Sequence, residues 1–100
     1  MREAVLEILY ECIDELNEQL AGEQRLRREP GTRLLGDGAL DSLGFVNFVV
    51  LAEDRCERAF GVSLSLTESA RKEHTDPFET VGTLADFMCA LVKDGRAIDD

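Results

Sequence analysis

The sequence predicts an all-α fold of four helices, three long and a short third one, with a long loop after the first. Three observations carry this expectation. Apolar residues recur at three- and four-residue spacing in the stretches from Arg2 to Leu20 and from Ser42 to Phe60, and again near the C-terminus. Breaks fall between those stretches, at Gly22, Phe60-Gly61 and Asp76-Pro77. The one alternating run, Val62, Leu64 and Leu66, has no second run to pair with, so an extended loop is expected there and not a strand.

Composition bounds what such a fold does. One hundred residues make one domain, expected over residues 1–95 with a frayed tail at 96–100. At 44% apolar residues there is material for one modest core, but not for a buried enzyme cleft and its surrounding shells. Acids outnumber bases 21 to 11, a formal charge of −10. Such a surface repels phosphate backbones and anionic membranes, so no nucleic-acid or membrane partner is expected; basic protein surfaces are. Cys12, Cys56 and Cys89 are odd in number and widely spaced, which argues against disulfides and zinc and for buried reduced thiols. The chain runs from Met1 straight into an acid-rich amphipathic helix, unlike a signal peptide, and has no apolar run of membrane-spanning length. A monomer in the cytoplasm is expected.

In the first helix Val5, Leu9, Cys12, Ile13, Leu16 and Leu20 form the apolar stripe, flanked by Leu6 and Ile8. Glu3, Glu7, Glu11, Asp14, Glu15 and Glu18 lie opposite and read as a solvated face. Gly22 is expected to end this helix. Residues 22–40 form a connection long enough to suggest a functional role. Its Arg25, Arg27 and Arg28 are bracketed by Glu23 and Glu29 and read as solvated, whereas Leu34, Leu35 and Leu40 are expected to pin the loop to the core.

The second helix carries the most information. Asp41 is a good N-cap, its carboxylate able to accept from a first-turn amide. Ser42 then falls in the first turn with its hydroxyl towards solvent. A phosphate on that oxygen would meet free N–H groups and the positive end of the helix dipole. Phe45, Phe48, Val49, Ala52, Cys56, Ala59 and Phe60 make one stripe. Opposite runs a second line, Leu43, Val46, Asn47, Val50, Glu53, Asp54 and Glu57, which starts apolar and ends acidic. A core face would not run out into three acids, so this line reads as a docking surface: aliphatics beside Ser42 for packing, then carboxylates for a partner's Arg and Lys.

Gly61 is expected to stop that helix at positive φ, with Val62 folding back. Ser65, in a Ser65-x-x-Glu68 box, or Thr67 is expected to cap a short third helix reaching Lys72. His74, the single histidine, reads as a surface residue. Thr80 or Thr83 is expected to cap the last helix, with Thr83-x-x-Asp86 resembling a capping box. Leu84, Phe87, Met88 and Leu91 form its buried stripe, and Lys93 and Gly95 mark its end.

The triplet Asp41-Ser42-Leu43, near the middle of a small acidic helical chain, after a long loop and before the longest amphipathic helix, resembles the acyl carrier and peptidyl carrier protein family. The likeness runs from Val5 to Val92, with the helices and the long first loop in the family's order. It implies a four-helix carrier bundle without enzymatic activity. It also implies that Ser42, flanked by Asp41 and Leu43, carries a 4′-phosphopantetheine arm placed there from coenzyme A by a phosphopantetheinyl transferase. The arm would hold an acyl or aminoacyl group as a thioester. Loading and downstream biosynthetic enzymes with basic docking surfaces would read the helix after the serine. Family members often carry acids two and five positions after that serine, where this chain has Gly44 and Asn47, and the second helix here is about a turn longer. Those departures suggest a discrete carrier of a specialised pathway, polyketide, nonribosomal peptide or related.

Other chemistries fit the same residues poorly. Gly-Asp-Ser-Leu hydrolases share the triplet, but Leu40 precedes Asp41 here and Arg71 stands three residues before His74, so no Asp-x-x-His supplies a base. A calcium loop starting at Asp37 would have Ala39 third, Ser42 sixth and Phe48 twelfth, which lacks the ligand set. An unmodified acidic helical adaptor for a basic protein would suit the composition. It gives no reason for an exposed serine capped by Asp41 at the edge of the apolar patch.

Overall fold

The computed structural model describes residues 1–20, 22, 25–35, 40–73 and 76–98, and for 95–98 the backbone only. Among the described residues there are four helices, α1 (Arg2–Asn17), α2 (Ser42–Phe60), α3 (Leu66–Ala70) and α4 (Val81–Ile98). The fold is the expected all-α one, three long helices and a short third. The extended pairing among described residues is confined to an isolated antiparallel bridge between Arg33 and Thr80. Helix α1 packs against both α2 and α4. One apolar cluster joins them, centred on Leu9, Ile13, Phe48, Leu84 and Met88, all fully buried.

Helix α1 stops earlier than Gly22. Its last residue, Asn17, turns its carboxamide on the loop, with Oδ1 accepting from Leu26 N–H and Nδ2 donating to the Leu26 carbonyl, both at 2.9 Å. Arg25 Nε then donates to the carbonyls of Asn17 and Leu20, at 3.1 and 3.4 Å, and so satisfies acceptors a helix end leaves open. Gly22 does not take positive φ; among the described residues only Gly61 does.

The first loop is fastened at its far end as well. Leu34 N–H donates to the Glu79 carbonyl, and Val81 and Gly82 N–H donate to the carbonyls of Thr32 and Pro30, at 2.7–3.1 Å. Gly82 eases this close approach, since a Cβ would stand 3.0 Å from the Pro30 carbonyl oxygen. Leu26, Leu34 and Leu40 are buried and Leu35 half-buried, so the loop is pinned as expected, with Leu26 as an additional anchor. Gly36, Asp37, Gly38, Glu23 and His74 lie outside the described residues.

Helix α2 has the predicted bounds. At its end Gly61 adopts φ 70° and donates to the Glu57 carbonyl at 2.8 Å, the left-handed cap that glycine enters at little cost. Val62 folds back and is buried. Of the expected stripe, Phe48, Val49, Ala52 and Cys56 are buried and Phe45 and Phe60 half-buried. Ala59, expected on the same stripe, is exposed. Helix α3 is shorter than expected, and Ser65, at its N-cap, makes no side-chain capping bond.

Helix α4 is capped by Thr80. Thr80 Oγ1 accepts from Thr83 N–H at 3.1 Å, and Thr83 Oγ1 accepts from Thr80 N–H at 3.0 Å, a reciprocal box with threonine in the usual Glu position. Asp86 has no part in it, since it pairs with Arg2 at 2.7 Å across to α1. The helix continues through Gly95 to Ile98, past the end expected at Lys93 and Gly95. The acids of α1 are exposed as expected, with Glu15 half-buried, and four of them carry ion pairs: Arg28 reaches Glu7 and Asp14 and stacks over Tyr10, and Arg55 of α2 bridges Glu11 and Glu15. At these exposures each pair is worth at most about 1 kcal/mol.

Cys12, Cys56 and Cys89 are free and buried, one on each long helix. Burial pushes the Cys12 thiol up to about 12 and Cys56 up to about 11, and raises Cys89 as well. A thiol raised on folding keeps its proton in the native state while the unfolded chain loses it above the ordinary value of 9.0. Stability contributed this way is intact below pH 9.0 and falls as pH rises towards 12. We expect Tm to drop through that window with a shallower slope in Cys12→Ala, followed by thermal circular dichroism; identical slopes would remove the thiols as the cause.

Candidate functional site

The site begins with the backbone at the start of α2. Leu40 is buried and its N–H donates to the Leu34 carbonyl at 3.3 Å, which brings the chain out of the loop at a fixed point. Asp41, with ψ 179°, then turns its carboxylate inward to accept from Gly44 N–H at 2.7 Å. Its carbonyl accepts from Phe45 N–H at 2.8 Å, which closes the first turn. The Ser42 and Leu43 amides, at the first two helical positions, have no carbonyl behind them within the helix.

Ser42 is exposed in this turn. Its hydroxyl therefore stands at the positive end of a 19-residue helix, beside two unpaired amides and a carboxylate already engaged by Gly44. A phosphodiester on that oxygen would be accommodated without burying charge, so the residues present fit a phosphopantetheine group. Leu43, the next side chain, points outward at 70% exposure.

The line beyond Ser42 is open at its apolar end. Val46 and Val50 are 54% and 56% exposed, and with Leu43 they are three of the four large exposed apolar side chains among the described residues. Asn47 is exposed beside them. Natural surfaces scatter such residues singly; three on one helix face next to an exposed hydroxyl form a patch. Asn47 and Val50 also edge a cavity of about 320 Å³ between α1 and α2, walled by Leu16, Gln19 and Leu51. No local pattern announces this cavity, because its lining joins residues of two separate segments.

The acidic end of the line is different. Asp54 is exposed and pairs with Arg58 at 3.2 Å, and Glu57 is exposed. Glu53 is half-buried, and its carboxylate accepts from the Leu66 N–H at 2.7 Å. That bond does for α3 what Ser65 was expected to do: it caps the first free amide of the short helix. Glu53 is thus fastened to the fold, whereas Asp54 and Glu57 present charge outward. Phe45, on the other flank, meets Phe78 edge-on with ring centroids 5.2 Å apart, tying the start of α2 to the segment before α4.

Among the described residues no group of three or more His, Cys, Asp or Glu is placed to hold a metal ion. No described helix is long and apolar enough to cross a membrane.

The chain is 31% identical over 82 residues to the D-alanyl carrier protein of Bacillus velezensis, covering 82% of this chain and 99% of the relative. No protein-family profile matches the chain. No solved structure matches it either.

The two roles open to Glu53, cap or docking charge, separate by substitution. Glu53→Ala leaves Leu66 N–H without its acceptor and is expected to cost about 0.5–2 kcal/mol, the range for a lost helix cap. Amide hydrogen exchange at Leu66 and through α3 should accelerate, with Glu53→Gln falling between. Unchanged exchange in Glu53→Ala would show that the bond does not hold α3.

Proposed function

Because the chain belongs to the phosphopantetheine carrier-protein family, we propose that it carries its arm on Ser42 and an aminoacyl cargo at the arm's end. A carrier of this kind is not an enzyme; it works with a phosphopantetheinyl transferase and with the biosynthetic enzymes that load and unload it. The family's group, 4′-phosphopantetheine, supplies a terminal thiol on which cargo is held as a thioester. The observation that supports Ser42 is its exposure at the open end of α2, capped from behind by Asp41.

The residues divide the work. Ser42 gives up its hydroxyl proton to the transferase and takes the phosphoryl end of the arm from coenzyme A, the nucleotide departing. Asp41 keeps the first turn closed, with its own charge drawn towards Gly44 N–H and away from the incoming phosphate. The Ser42 and Leu43 amides and the helix dipole favour the anion that results. Buried Cys12, Cys56 and Cys89, each with its thiol raised, stay protonated near neutral pH and do not compete for cargo.

Leu43, Val46 and Val50, with Asn47 between them, form the contact read by partner enzymes, and Asp54 and Glu57 steer basic surfaces towards it. Glu53 contributes by holding α3 beside that face. Tethering raises the cargo's effective concentration at each enzyme, so the docking contact itself can be weak and short-lived. The relative's name, a D-alanyl carrier, favours a small amino acid, D-alanine first, over the polyketide cargo suggested by Gly44 and Asn47.

Incubated with coenzyme A and a broad-specificity transferase, the protein is expected to gain the mass of one phosphopantetheine. Ser42→Ala should abolish the gain and leave helical circular dichroism unchanged; a gain that survives the substitution would place the arm elsewhere. Val50→Asp should keep the fold and the mass gain but lower kcat/KM for the cognate loading enzyme roughly tenfold, the scale of a lost interface anchor. Unaltered loading kinetics would take Val50 out of the contact.

A further inference from the structure

The first loop concentrates positive charge in a chain dominated by acids. Arg2, Arg28, Arg55, Arg58 and Arg71 each have a carboxylate within 3.9 Å. Three arginines whose side chains are described, Arg25, Arg27 and Arg33, have no described carboxylate at ion-pairing distance. All three line the same cavity, of about 320 Å³. With acids almost twice as numerous as bases, three guanidiniums without an ion-pair partner around one concavity are not what an arbitrary solvated face would give.

We propose that this cavity is a binding site for a phosphate group. Its lining carries three arginines and one acid, Glu29, a formal charge of +2 that matches a phosphate dianion. Guanidinium forks present several donors at fixed angles and suit a tetrahedral oxyanion. The volume lies at the lower end for a small-molecule site and leaves room for more than a bare ion.

The cavity is also preformed. Asn17 fixes Leu26 on one side, while Thr32 and Pro30 are fixed on the other by the amides of Val81 and Gly82. Thr32 Oγ1 donates to the Arg27 carbonyl at 2.7 Å and Thr32 N–H to the Glu29 carbonyl at 3.1 Å, which closes the loop on itself. A ligand therefore meets arginines on a backbone already held, and loses little affinity to ordering it. Arg25 is spoken for in part, since its Nε closes the end of α1. Arg27 and Arg33 are exposed, and their side chains do no such work in the fold. No lining residue belongs to the Ser42 turn, and the site does not depend on the carrier reading.

The test is a titration of the full chain with inorganic phosphate at constant ionic strength, read by amide chemical shifts. Saturable shifts confined to residues 25–33 are expected, and R27Q/R33Q should weaken them on the order of tenfold or more, the scale of losing charge-assisted hydrogen bonds. Circular dichroism of R27Q/R33Q should match the parent, since neither side chain braces the backbone. A second arm uses phosphatidylcholine vesicles with and without phosphatidic acid. Binding to free phosphate without vesicle binding assigns a soluble phosphorylated ligand; R27Q/R33Q-sensitive binding to phosphatidic acid vesicles assigns a lipid headgroup. Shifts equally produced by chloride, shifts that persist in R27Q/R33Q, or saturation by a Glu-rich peptide alone would overturn the proposal.

Discussion

Asp41 Oδ1 accepts from Gly44 N–H at 2.7 Å, and the register of α2 follows from that contact. The cap fixes which residue begins the helix, and the 3.6-residue repeat then distributes every later side chain. With the helix started at Ser42, Phe48, Val49, Ala52 and Cys56 fall on the core, and Leu43, Val46 and Val50 fall outside it. A start one residue later would leave Ser42 in the cap position, where its oxygen would be drawn to an amide of its own helix. Asp41 in the cap leaves the hydroxyl free for other chemistry.

The second constraint is on the loop that delivers Asp41. A free connection of this length would let the start of α2 wander. Buried Leu26, Leu34 and Leu40, the Asn17–Leu26 pair and the bonds to the start of α4 remove that freedom at several points. Phe45 against Phe78 adds a tie from the helix side. The core and the staples thus hold the backbone, while Leu43, Val46 and Val50 of α2 stay exposed.

How far the amino-acid sequence disclosed this depends on whether a signal is local. Both ends of α2 were legible because Asp41 and Gly61 each act within four residues of themselves. The end of α1 was not, because Asn17 finds its partner nine residues away in Leu26, which no spacing rule anticipates. The Thr80–Thr83 box was half legible: Thr80 was a candidate cap, but threonine in place of Glu hid its partner. Glu53 shows the same limit at the site itself. Its position on the exposed line was readable from helical periodicity, whereas its bond to Leu66, thirteen residues on, depends on how the chain turns after Gly61. Likewise the arginines of the first loop look alike in sequence; only the fold separates Arg28, which pairs with α1, from Arg27 and Arg33, which do not.

The central claim is that the Ser42 oxygen is a covalent anchor. Intact-mass and peptide mass spectrometry of the protein purified from its own cells, under conditions that spare thioesters, address it most directly. The account predicts a phosphopantetheine phosphodiester on the peptide containing Ser42, with part of the population heavier by an aminoacyl unit. Protein bearing an unmodified Ser42 in every molecule, in cells that contain a competent transferase, would contradict it.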